Sequence, residues 1–98
     1  MHKIKLTNGK EFGVTFVHTP DAYIDQVNDE LVYIPANTEC MIMENESLFS
    51  HGSAWCHEND MFDRKIGRKI SFGRAISNFS VEERTEFWKW FLSTFKYK

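Results

Sequence analysis

Cysteine is scarce in this chain, and paired cysteine motifs are absent: Cys40 and Cys56 stand sixteen residues apart and belong to no CxxC pair. That spacing excludes a zinc knuckle and a dithiol redox motif, and it reads as two buried free thiols. Long apolar runs are missing too. No stretch of about 18 apolar residues occurs, and the opening MHKIKLTNGKEF lacks the apolar core of a secretory signal. The expectation is a cytoplasmic protein with no membrane partner.

The common catalytic signatures are absent as well: GxSxG, HExxH and the phosphate loop do not occur, nor does any internal repeat. Cys56 and His57 are sequence neighbours, so on a strand they point to opposite faces, which is wrong for a thiolate–imidazole pair. His51 and His57 share a face but lie about 20 Å apart if the segment is extended, too far for one metal ion. The carboxylate pairs Asp21/Asp25 and Asp60/Asp63 have spacings common on any helix surface. The reading is a non-enzymatic protein without metal or cofactor.

What is present suffices for one compact unit, residues 1–98. Apolar residues make up 42% of the 98, with nine Phe and three Trp, enough to bury a modest core. Charge is segregated along the chain. Residues 1–61 carry three Lys against ten Asp or Glu, net −7, whereas 62–76 carry five basic residues against Asp63, net +4. An acidic body with one basic segment disfavours duplex nucleic acid, whose phosphate-driven affinity needs broad positive potential. It stays compatible with a small anion.

Residues 1–57 read as mainly β. Ile4 and Leu6 alternate with lysines, and Phe12, Val14 and Phe16 alternate after Asn8-Gly9. A three-residue loop, Thr7-Asn8-Gly9 with Gly9 left-handed, pairs Ile4 with Phe12 and keeps one apolar face, where a two-residue loop would split it. Thr19-Pro20-Asp21 carries helix-start chemistry, so a short helix near 20–27 is expected. ELVYI and ECMIM read as strands separated by Pro35-Ala36-Asn37, and ENES as a turn. LFSHGSAWC reads as a strand, with Gly52 marking a bulge. Two helices fill 60–95: the first spans roughly 60–77, capped by Asn59 or Asp60, and the second roughly 81–95, opened by the capping box Ser80-Val81-Glu82-Glu83. The fold class is therefore α+β, an antiparallel sheet of four to five strands with two C-terminal helices packed on one face.

On the first helix the 3.6-residue period gathers Phe62, Ile66, Ile70, Gly73 and Ile76 into a core stripe. Arg64 and Arg68 then stack one turn apart on the far side, with Arg74 on a flank and Gly67, Ser71 and Ala75 between them at intervals of four. Two readings compete: a solvated basic face with a small-residue ridge packed by protein, or an anion site. Guanidinium forks match phosphate oxygens in pairs and repel one another unless an anion lies between them. The candidate ligand residues are Arg64, Arg68, Arg74 and Lys69, with Phe62, Phe72 or Trp90 stacking a base. On the second helix Val81, Phe87, Trp88, Phe91, Leu92 and Phe95 form the core side, and Trp90 points away from it. The candidate partner-binding residues are Gly67, Ser71, Ala75 and Trp90.

The run CHENDMFDRKIGRKISFGRAI, residues 56–76, resembles a signature of small uncharacterised bacteriophage proteins: a Cys, an Asp-x-Phe, then Gly-Arg-Lys and Arg-Ala along one helix. The closing EERTEFWKWF is similar to their ends, with Arg84 and Trp88 in matching places. More loosely the chain resembles phage anti-defence sponges, the Thoeris inhibitors, which sequester nucleotide immune signals between subunits. The resemblance implies a phage protein in the cytoplasm of an infected bacterial host, a homo-oligomer binding a phosphate-bearing nucleotide. The alternative is an inhibitor that binds a host defence or regulatory protein through acidic strands and exposed aromatics.

Overall fold

The computed structural model describes residues 1–25, 31–56 and 64–95. Its elements, in chain order, are β1 (His2–Lys5), β2 (Glu11–Thr19), β3 (Ala22–Asp25), β4 (Leu31–Ile34), β5 (Asn37–Glu44), β6 (Ser47–Trp55), α1 (Arg64–Ala75) and α2 (Val81–Phe95). Strands β1, β2, β5 and β6 form one antiparallel sheet in that order, and β3 and β4 form a separate two-stranded sheet. The expected α+β class holds.

Local chemistry sets the registers. Gly9 takes φ = 90°, and Ile4 faces Phe12, as the three-residue loop requires. The β5–β6 turn is left-handed at Asn45 and Glu46, a two-residue hairpin loop with an Asn where one is favoured. Gly52 pairs in register with Cys40; the irregularity expected there comes instead where Ile42 meets Ser50 and Met43 meets Leu48, leaving Phe49 as the extra residue. That placement sends the Phe49 ring against Phe12 and Phe79, at 5.5 and 5.2 Å between centroids.

Residues 22–25 are a strand, not part of the helix expected near 20–27; positions 26 and 27 of that expectation lie outside the described residues. The tertiary pairing overrides the Thr-Pro-Asp signal. Tyr23 faces Tyr33 across the two strands with rings 5.1 Å apart, and Tyr33 donates to the Asp21 carboxylate at 3.2 Å.

The core lies between the larger sheet and the helices. Alternation puts Ile4, Phe12, Val14, Cys40 and Ile42 on the helix side, all buried. Burial raises the Cys40 thiol to a pKa of about 12. Phe72 of α1 is fully enclosed, stacked on Phe91 at 4.6 Å and edge-on to Trp88 at 5.1 Å. The capping box at Ser80 is formed: the Glu83 amide donates to the Ser80 hydroxyl, and the Ser80 amide donates back to the Glu83 carboxylate. The β1–β2 loop is tied to this end, through Thr7 N–H to Glu86 and Asn8 to Glu83.

The orientation of α1 departs from the apolar-stripe reading. Its sheet side is Gly67, Ser71, Phe72 and Ala75, all buried, whereas Ile66 and Ile70 are 57% and 42% exposed. The helix is turned by roughly half a turn, about 180°, from the side that bulk alone selects. Small residues win because they let the helix backbone approach the sheet. Gly52 of β6 lies against the Ser71 carbonyl and the Ala75 amide, and Gly67 lies against Thr38 of β5. The ridge expected to receive a partner is therefore an internal contact of this chain. Phe62, placed in the same stripe, lies outside the described residues.

Candidate functional site

The site grows from that close approach. Thr38 and His18 are cross-strand neighbours on β5 and β2, and their side chains meet at 2.8 Å between Oγ1 and Nδ1. Gly67 rests on Thr38, which brings the first turns of α1 over this corner of the sheet. Arg64 and Arg68, one turn apart, then act on the imidazole. Burial, followed by the charges of Arg68 and Arg64, holds the His18 pKa below its ordinary value. The charges of both guanidinium groups thus reach one imidazole.

Aromatic rings floor it. The Arg68 guanidinium carbon lies 5.2 Å from the centroid of Phe95, near the end of α2, a cation–π contact. Phe95 in turn packs edge-on against Phe16 at 5.5 Å and His2 at 5.1 Å. Arg68 is half-buried, and among the described residues its Nε is enclosed without a hydrogen-bond partner. Arg64 is exposed at the mouth. Such a site can hold an anion between two cationic forks while an aromatic ring supports one of them.

The remaining basic candidates fall elsewhere. Arg74 reaches the opposite edge of the sheet, where its Nη1 donates to the Ser53 carbonyl of β6. It caps a carbonyl of an edge strand that would otherwise be open to pairing. Lys69 is exposed on the outer side of α1. Gly67, Ser71 and Ala75 are buried against β5 and β6. Trp90, expected to face solvent or a partner, is instead half-buried: it packs on Phe72 at 5.9 Å and on His2 and Phe95 at 6.1 Å each. The aromatic crowding around Phe72 draws it inward. Val81 and Leu92, expected in the core, are 64% and 45% exposed.

Sequence reasoning missed His18, Thr38 and Phe95 as site residues. His18 and Thr38 lie twenty residues apart and meet only through the β2–β5 register. The alternation of Phe12, Val14 and Phe16 does place His18 on the same side, and this is the one signal that could have found it.

The Thr38 hydroxyl is fully buried, so its contact with His18 offers no accessible nucleophile. Among the described residues, no three His, Cys, Asp or Glu side chains group as metal ligands, and no helix is long and apolar enough to cross a membrane. No protein-family model matches the chain, and no curated protein or solved structure matches it either.

Proposed function

We propose that this protein is a non-catalytic binder that sequesters a phosphate-bearing nucleotide signal, of the cyclic or ADP-ribose type, as a phage protein blunting a host defence would. The observation that carries the reading is the Arg68 guanidinium on the Phe95 ring, with its charge and that of Arg64 both acting on His18. In this reading the two guanidiniums and a protonated His18 hold phosphate oxygens, and Phe95 supports Arg68 beneath them. Arg74, bonded to Ser53 at the far edge, is not part of the ligand set.

The test is ligand-dependent melting with a panel of cyclic mononucleotides, cyclic dinucleotides and ADP-ribose derivatives. A true ligand at a hundredfold its dissociation constant adds about 2.7 kcal/mol to stability. Arg64→Ala and Arg68→Ala remove that gain, and Arg74→Ala keeps it. A melting temperature unmoved by every compound overturns the reading.

A second reading is favoured by a different surface. On the sheet face away from the helices, Val17 is 41% and Trp55 54% exposed, and Glu39 stands between their strands. A sheet face with an exposed Trp and Val beside charged side chains suits an inhibitor that binds a host protein. Capture of one defined host protein, lost in Trp55→Ala and kept in Arg64→Ala, would support it.

A further inference from the structure

Asn8-Gly9 is the one place in the chain where an asparagine precedes a glycine; the other asparagines are followed by Asp, Thr, Glu or Phe. Asparagine is chemically labile, and most so before glycine, because no Cβ shields the next amide nitrogen from the asparagine side-chain carbonyl. Both residues lie exposed at the tip of the β1–β2 loop, where Gly9 holds its φ of 90°.

Hydrogen bonds hold the reactive atoms in place. The Gly9 N–H donates to the Leu6 carbonyl at 3.0 Å, which engages the proton that the attacking nitrogen would have to lose. The Asn8 Oδ1 accepts from the Lys10 amide at 3.0 Å, and the Asn8 Nδ2 donates to the Glu83 carboxylate of α2 at 3.2 Å. The Thr7 amide, bonded to Glu86 at 2.8 Å, ties the same loop to α2 about one turn further on. For reaction the Asn8 side chain must swing off both partners until its Cγ meets the Gly9 nitrogen, and that nitrogen must leave Leu6. Thr7, Asn8 and Gly9 are all exposed, so these bonds break in a local opening that needs no global unfolding.

We infer that Asn8 is a site of spontaneous deamidation that α2 latches shut through Glu83, so that release of the β1–β2 loop starts a one-way covalent change. The Gly9 nitrogen attacks the Asn8 Cγ, a C–N bond closes a five-membered succinimide, and Nδ2 leaves as ammonia with the proton that Gly9 gives up. Water then opens the ring at either carbonyl and yields aspartate or isoaspartate, with no oxidant or reductant consumed. Aspartate sets a carboxylate against Glu83 where a donor stood, and the two negative groups repel. Isoaspartate adds a methylene to the main chain of a loop whose length sets the Ile4–Phe12 register. Either product therefore keeps the loop from closing again on α2. The site lies at the opposite end of β2 from His18, and the inference stands whether or not a nucleotide binds there.

Peptide mapping by mass spectrometry tests it, on the full chain incubated at mildly alkaline pH, with the peptide that holds Asn8 followed for the conversion of amide to acid and for isoaspartate. Native wild type converts at least about tenfold more slowly than the same chain in urea, a factor that one or two net hydrogen bonds supply. Glu83→Ala removes the partner of Nδ2 and speeds conversion in the folded protein by roughly threefold or more. Asn8→Asp, the finished product, melts below wild type, and its deficit shrinks in a Glu83→Gln background, where one of the two facing charges is gone. A native rate equal to that in urea, a rate indifferent to Glu83→Ala, or an Asn8→Asp deficit that Glu83→Gln does not reduce overturns the inference.

Discussion

Gly67 of α1 lies directly on the Thr38 side chain of β5, and the same threonine holds His18. A methyl group at Gly67 would meet the Thr38 hydroxyl well inside contact distance, and Thr38 has no free space around it. Gly67→Ala should therefore destabilise by about 1–3 kcal/mol, the usual range for overpacking. Thr38→Ala removes the obstructing hydroxyl, so the double variant should lose less than the sum of the two. Chemical denaturation of the four proteins measures that coupling; strict additivity would mean the contact does not exist in solution.

The capping box offers a separate handle. Ser80→Ala removes one partner of the Glu83 amide and should cost about 1 kcal/mol. Burial pushes the Glu83 pKa up, but bonds from the Ser80 amide, the Ser80 hydroxyl and Asn8, with the charge of Lys10, outweigh it and leave the value lowered. A carboxylate depressed on folding lends stability above its unfolded pKa and loses it as pH falls through the folded value. Glu83→Gln should flatten the acid limb of the stability curve at low pH, which thermal melts across pH 2–6 would reveal.

Arg74 guards a strand edge. Without its bond the Ser53 carbonyl of β6 faces solvent with nothing paired to it. Arg74→Ala should lower stability by about 0.5–1.5 kcal/mol and raise concentration-dependent aggregation, read by light scattering during heating. Arg74→Lys should restore the solubility in part, since a lysine on an edge also discourages pairing.

Much of this architecture was legible wherever a local rule acts alone. Gly9 and the alternation around it fixed the Ile4–Phe12 register, and Ser80 with Glu83 marked the start of α2. Errors arose where a long-range contact outvotes local bulk. Ile66 and Ile70 look like core by size, yet Gly52 on a strand far upstream takes the helix backbone at Ser71 and Ala75, and Thr38 leaves room only for Gly67. Thr19-Pro20-Asp21 reads as a helix start, yet Tyr23 finds Tyr33 across a strand pair. The basic pair at Arg64 and Arg68 was visible in the sequence. That His18 completes it was not, because the two segments meet only once β2 and β5 are paired.

The most direct test is the imidazole of His18, followed by NMR through a pH titration with and without a cyclic dinucleotide. Phosphodiesters keep a fixed charge near neutral pH, whereas a monoester titrates near pH 6 and would confuse the reading. The account predicts a His18 pKa below 6.5 in the free protein, raised toward normal in Arg68→Gln, and shifted upward on binding, so that affinity tightens as pH falls through it. A pKa at or above 6.5 in the free protein, or one indifferent both to Arg68→Gln and to every phosphodiester offered, would contradict the account.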